Sequence, residues 1–239
     1  NGLNDENLLL RTSLNDLVGV PSIDFSSIVV ATDRDGDEIT LNSGSFTIAV
    51  QDDVPVQNDV LVAATVQEDG LNAAVDEPPT GASGNDLSTG NKEGGETDAA
   101  DETSNVLAGS LSGLVTVGAD EPPTISLSTT TSGLPTLFSQ GVAVTYSVTD
   151  GVSSDTLTAT AGGRTVFTLV VNADGTWTFD LDDQLDHVDN GLNDENLLLR
   201  TSLNDLVGIP SIGFSSIVVA TDRDGDEIAL NAGSFTIAV

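Results

Sequence analysis

Residues 1 to 50 return almost letter for letter as residues 190 to 239, with Val20/Ile209, Asp24/Gly213, Thr40/Ala229 and Ser43/Ala232 the only differences. Identity at 46 of 50 aligned positions exceeds what a shared fold imposes, so the unit is a recent copy and the chain reads as part of a tandem array. Two nearly identical segments seek the same complementary surface, and only one such stretch, residues 110–189, is present. The simplest assignment gives 190–239 to that upstream partner and makes 1–50 the C-terminal part of a preceding repeat. The alternative seats 1–50 on the residues downstream of it and orphans 190–239. On the first assignment, 51–58 is an inter-module linker and 59–239 one full module. Within it, 76–105 forms a long acidic loop, rich in Gly and Ser with almost no apolar anchor, and 109–239 the β-core.

Charge bounds the partners. The chain carries 38 acidic against 6 basic residues, a formal charge of −32. At a Debye length of about 8 to 10 Å in physiological salt, many of these carboxylates feel one another and oppose compaction. Six scattered cations cannot build the Lys/Arg surface that nucleic acid or an anionic membrane requires, which excludes both and favours cations. A hydrophobic content of 38%, dense in Val, Thr, Ile and Leu, still supports a buried core. The absence of cysteine removes disulfides, thiolate chemistry and soft-metal sites together, leaving calcium as a suitable staple. No run approaches about 18 apolar residues and no basic-then-apolar leader opens the chain, so neither a membrane span nor a signal peptide is expected in it.

From residue 109 the text reads as short strands punctuated by turns, an all-β pattern. Strands are predicted at 124–128, 142–148, 156–160, 165–171, 176–181, 197–201, 214–221 and 234–239, with a single helical turn left open within 197–206. Alternation in Val142-Ala-Val-Thr-Tyr-Ser-Val148 and Trp177-Thr-Phe-Asp-Leu181 marks sheets with one buried and one wet face. Asn172-Ala-Asp-Gly175 is a hairpin turn in which Asp174 and Gly175 supply the positive φ angles. Size and spacing point to an immunoglobulin-like β-sandwich, opened by a strand over 59–66 and a turn at Glu68-Asp-Gly70.

The sharpest chemical motif is Asp33-Arg-Asp-Gly-Asp37-Glu38, recurring as Asp222-Arg-Asp-Gly-Asp226-Glu227 after an apolar strand. Calcium takes six to eight oxygens at about 2.3 to 2.6 Å, and a tight turn about Gly36 lets Asp33, Asp35 and Asp37, like Asp222, Asp224 and Asp226, converge. The competing reading is a solvated acidic hairpin. An EF-hand is excluded, because the twelfth position from Asp33 is Gly44 where a bidentate Glu is required. A second cluster lies at the module junction: Asp52, Asp53, Asp59, Glu68 and Asp69. There, a shared ion would replace hinge freedom with fixed geometry, or the acids merely solvate a linker. Asp120, Asp150 and the stretch Asp180 to Asp189 are weaker candidates, equally readable as turn residues or as charge for solubility. His187 beside Asp186 has no partnered nucleophile and reads as structural, and Trp177 reads as core rather than as a sugar platform. The chain is therefore not expected to be an enzyme.

Val115-Thr-Val-Gly-Ala-Asp120, Asn172-Ala-Asp-Gly-Thr-Trp-Thr-Phe179, Leu185-Asp-His187, Ala220-Thr-Asp-Arg-Asp-Gly-Asp226 and Gln51-Asp-Asp-Val-Pro55 together resemble the extender repeats of giant RTX adhesins, bacterial surface proteins exported by type I secretion and associated with biofilms. The resemblance implies a cell-surface, extracellular location on the Gram-negative outer membrane. It also implies monomeric modules that contact their neighbours in the same chain and stiffen on binding Ca2+, projecting a distal adhesive domain. Asp222, Asp224 and Asp226, with Asp33, Asp35 and Asp37, match that family's acidic turn. The alternative is a module that itself binds a surface glycan, a receptor or ice, which would show clustered aromatics or a flat Thr array.

Overall fold

The computed structural model describes residues 9–11, 19–66, 68, 71, 106–189, 197–203 and 207–239. The expected 76–105 loop and Asp69 lie outside the described residues. What is described is all-β, with several sheets around one core and three-residue 3-10 turns as its only helical pieces. No helix of the described residues is long and apolar enough to cross a membrane.

A five-stranded antiparallel sheet carries most of the core. We label the strands of the main body β1 (Val62–Thr65), β2 (Val106–Ser110), β3 (Thr124–Leu127), β4 (Thr145–Thr149), β5 (Ser154–Ala161), β6 (Arg164–Asn172), β7 (Thr176–Leu181), β8 (Ile212–Gly213), β9 (Val218–Thr221), β10 (Glu227–Ala229) and β11 (Phe235–Ala238). The sheet order is β4-β5-β6-β7-β2. Because side chains alternate along a strand, Leu157 and Ala159 of β5, Leu169 of β6, and Trp177 and Phe179 of β7 all point inward and are buried. Gly109 of β2 lies under Trp177, where a methyl group would meet the indole ring at 2.7 Å.

Two further sheets close the other side. β3, β9 and β10 form one antiparallel sheet, while β8, β11 and β1 form the other, in which β11 and β1 run parallel. The apolar residues of the second repeat copy complete the core: Phe214 lies 6.1 Å from Phe179 and 5.5 Å from Phe235, which lies 5.1 Å from Trp177 between ring centroids. Each such ring pair contributes about 0.5 to 1.5 kcal/mol beyond its buried area.

Three local expectations are corrected. The stretch 142–148 is two strands, Val142–Ala143 and β4, because Val144 turns inward and its N–H donates to Leu137 O at 2.9 Å. The stretch 214–221 begins with a 3-10 turn, Ser215–Ile217, before β9, since Ser215 Oγ accepts the Phe235 N–H at 2.9 Å. In the β6–β7 hairpin only Gly175 takes a positive φ, 83°. Asp174 instead accepts hydrogen bonds from the Thr176 N–H and hydroxyl at 2.9 and 2.6 Å, which holds the turn from its side chain.

The first copy adopts the same local structure. Its Ser26–Ile28 turn, Val30–Thr32 strand and Glu38–Thr40 strand correspond to Ser215–Ile217, β9 and β10. Its burial differs: Ile28 is 74% exposed and Ile48 46%, while Ile217 and Ile237 are both at 0%.

Candidate metal centre

The acidic turn of the second copy sits where β9 leaves the core and reverses into β10. Asp222 closes it: its N–H donates to Asp226 O at 3.0 Å, and its Oδ1 accepts from the N–H groups of Gly225 and Asp226 at 3.0 and 2.7 Å. Gly225 takes φ of 106°, a left-handed value that a side chain would strain. One Asp222 oxygen thus holds the backbone.

The linker packs against residues 114–119, which border this turn, through backbone and side-chain bonds. Asp53 Oδ2 accepts the Ala119 N–H at 2.9 Å, and Gly118 leaves no room for a Cβ beside that carboxylate. Val56–Gln57 pairs antiparallel with Val115–Thr116, and the Asn58 N–H donates to Leu114 O at 2.8 Å. The 117–120 loop is tied to the turn by the Arg223 N–H donating to Asp120 O at 3.2 Å.

Two groups of carboxylates result. Asp52, Asp224 and Asp226 bring one oxygen each within 4.8 Å of one another, as do Asp120, Asp222 and Asp224. Asp224 belongs to both groups, so five acids form one connected set. The spacing suits a cation, because two oxygens each about 2.4 Å from one calcium ion lie at most about 4.8 Å apart. Asp222 and Asp226 are 5% and 4% exposed, and Asp222 Oδ2 is buried without a hydrogen-bond partner. A buried acceptor left unsatisfied costs about 1 to 3 kcal/mol, which a cation would relieve. Asp224 is pushed up to about 6, first by lost hydration, then by the adjoining Asp222 carboxyl and the charges of Asp52, Asp222 and Asp226.

The other expected ligands fall elsewhere. Asp33, Asp35 and Asp37 form a third group within the same spacing, but all three are exposed. Asp33 Oδ1 there accepts the N–H groups of Asp35, Gly36 and Asp37 at 3.2, 3.1 and 2.9 Å. The Asp33 carboxyl is held below its ordinary range, first by the Asp35 side chain and then by the Asp37 amide. Asp53, Asp59 and Asp150 are exposed and join none of the three carboxylate groups among the described residues. Glu68 is engaged differently, its Oε1 accepting the Leu185 N–H at 2.6 Å.

Two further buried acids, Asp155 and, within the 180–189 stretch, Asp183, have structural partners. Asp155, on an inward position of β5, accepts from the Leu127 and Gly151 N–H groups at 2.7 and 3.1 Å. Asp183 pairs with Arg164 and accepts from Gln140 Nε2 at 3.2 Å. The parity of Asp155 with Leu157 and Ala159 was the available signal. His187 places Nδ1 and Nε2 each 3.1 Å from a carbonyl, those of Leu185 and Val239, tying the last residue to the 185–187 segment.

The chain matches no protein-family model, no curated protein and no solved structure.

Proposed function

We propose that the chain is a structural spacer, an immunoglobulin-like array module whose linker is clamped to its body by calcium. One observation carries this reading: the linker carboxylate of Asp52 converges with Asp224 and Asp226 beside a buried, unpartnered oxygen of Asp222. Those oxygens repel one another until a divalent cation enters, so ion binding and linker docking are coupled. Asp52, Asp120, Asp222, Asp224 and Asp226 would hold the ion or ions, and the chemistry supplied is hard-cation cross-linking. With the linker free the module is a bead on a swivel. With the linker held, successive modules share a fixed angle and the array gains reach. Reach, rather than catalysis, is the proposed activity. The resemblance to adhesin extenders supports an extracellular setting on a Gram-negative surface, where calcium is plentiful.

Melting the full chain in about 5 mM calcium, the regime of weak extracellular modules, and again in chelator tests this reading. A ligand at about 100 times its dissociation constant adds about 2.7 kcal/mol to the folded state. The expected result is a higher melting temperature and a smaller hydrodynamic radius with calcium. Identical melting and radius in the two solutions would end the proposal.

A further inference from the structure

We infer that Asp53 is a positioning residue of the carboxylate site, a latch that brings Asp52 and Asp120 to it together without itself binding the ion. The inference rests on the calcium reading above and says how that site is assembled. Its carboxylates come from three separate stretches: Asp52 from the linker, Asp120 from the 117–120 loop, and Asp222, Asp224 and Asp226 from the acidic turn. Like charges push such stretches apart, so bonds outside the carboxylate set must hold them side by side.

Two bonds lace the three stretches. The Arg223 N–H donates to Asp120 O at 3.2 Å and joins turn to loop, while the Ala119 N–H donates to Asp53 Oδ2 at 2.9 Å and joins loop to linker. The second bond falls on the residue after Asp52 and on the residue before Asp120, so one contact sets the place of both. Its acceptor is a carboxylate, and charge-assisted bonds are about twice as strong as neutral ones. Asp53 is exposed and joins none of the carboxylate groups among the described residues, which separates its task from that of Asp52.

Gly118 shows how closely the latch fits. Its φ is 59°, in the left-handed region that favours glycine, and a Cβ there would overlap the Asp53 carboxylate. The pairing of Val56–Gln57 with Val115–Thr116 also fastens the linker to the body, but it begins four residues past Asp52, whereas the latch sits next to it. Ligands held in place before an ion arrives lose less freedom on binding it. Partners that orient metal ligands are accordingly worth about 10- to 100-fold in affinity.

Calcium titration of the full chain by calorimetry tests this with three variants. Asp53→Ala removes the latch, Gly118→Ala crowds it out, and Asp53→Asn keeps an oxygen to accept the Ala119 N–H while removing the charge. We expect Asp53→Ala and Gly118→Ala to weaken calcium binding about tenfold or more. Asp53→Asn should weaken it about threefold at most, the effect of one lost charge a few ångströms away in water. Asp53→Ala should still melt in chelator within about 3 °C of the parent, since the bond is exposed and the Val56–Gln57 pairing remains. Amide exchange at Ala119 in chelator should quicken in Asp53→Ala and not in Asp53→Asn. Parent-like calcium affinity in Asp53→Ala would overturn the latch and leave the calcium reading standing. Equal weakening by Asp53→Asn and Asp53→Ala would overturn it as well, because Asp53 would then act through its charge. A parent chain that binds no calcium would remove the calcium reading and the latch with it.

Discussion

Residues 19–50 and 208–239 have almost one sequence, one set of turns and one pattern of short-range hydrogen bonds, yet one lies open and the other is sealed in the core. The Ser-Ser turn, the acidic turn and the Phe–Phe backbone bond recur in both, so these features are written locally. Burial is not. It comes from β1, β3 and the five-stranded sheet, which only the second copy reaches. The same holds for the acids: Asp33 and Asp222 close their turns alike, but only the second turn acquires a linker carboxylate and an interior oxygen with no donor. A shared motif is thus a potential site, and its surroundings make it one.

The largest test removes the same ring from each copy. Phe214→Ala should cost about 3 to 5 kcal/mol, as buried aromatic truncations do, while Phe25→Ala should stay within about 0.5 kcal/mol. Denaturant titration of dilute chain reads both, and equal losses would break the contrast.

Calcium gives the next effect. Asp222→Asn should abolish most of the calcium-induced rise in melting temperature, a loss of about 2 to 3 kcal/mol under saturating ion. Asp33→Asn should leave that rise intact, as calorimetry in calcium and in chelator would reveal.

Proton linkage sharpens the comparison of the two turns. The Asp224 carboxyl sits at about 6 in the fold against an ordinary 3.8, so the folded chain holds the extra proton across that window. Its contribution therefore improves as pH falls from about 6 toward about 4 and is unfavourable at neutral pH. In chelator at pH 7, Asp224→Asn should raise stability by no more than about 1 kcal/mol, since the carboxyl still reaches solvent. The gain should vanish near pH 4. In calcium the sign for Asp224→Asn should reverse, because a ligand is lost.

The smallest effect concerns the differing letters. In the first copy Asp24 accepts from the Ser43 hydroxyl and the Gly44 N–H, each at 2.9 Å, and from both the N–H and hydroxyl of Ser26. These bonds hold its carboxyl well below the usual range. Their counterparts Gly213 and Ala232, with Ile209, line a groove of about 240 Å³ beside Gly133 and Pro135. Three of the four substitutions between copies therefore gather at one place. A Cβ at Gly213 meets nothing within 4 Å, so the change is sterically open. Gly213→Asp should destabilise slightly, and adding Ala232→Ser should recover about 0.5 kcal/mol through the restored pair. Strict additivity in a double-mutant cycle would show that the pair does not form.

Much of the sheet was legible because it rests on period-two alternation: Trp177, Phe179 and Leu181 announce β7 and its buried face. The Asp-Arg-Asp-Gly-Asp turn was legible for a similar reason, a Gly at the one position that needs a left-handed backbone. What alternation could not supply is which strands meet. The parallel pairing of β1 with β11 joins residues far apart in sequence, and no local pattern encodes it. Nor could spacing choose among the acids. Asp52 and Asp120 join Asp224 only because the linker lies along 114–120, whereas Asp59 and Asp150, equally acidic in the text, are carried elsewhere. The exact course of 142–148 and 214–221 failed on single residues, Val144 and Ser215, whose packing and side-chain bonding interrupt an otherwise regular pattern.

The side-by-side, same-direction course of β1 and β11 has a mechanical meaning. The Val62 N–H donates to Ser234 O at 2.8 Å, and that of Val66 to Ala238 O at 3.0 Å. Tension drawn in ahead of Val62 and out past Val239 would slide the two strands lengthwise against each other. Every rung of the ladder then resists at once, instead of parting one after another like a zip.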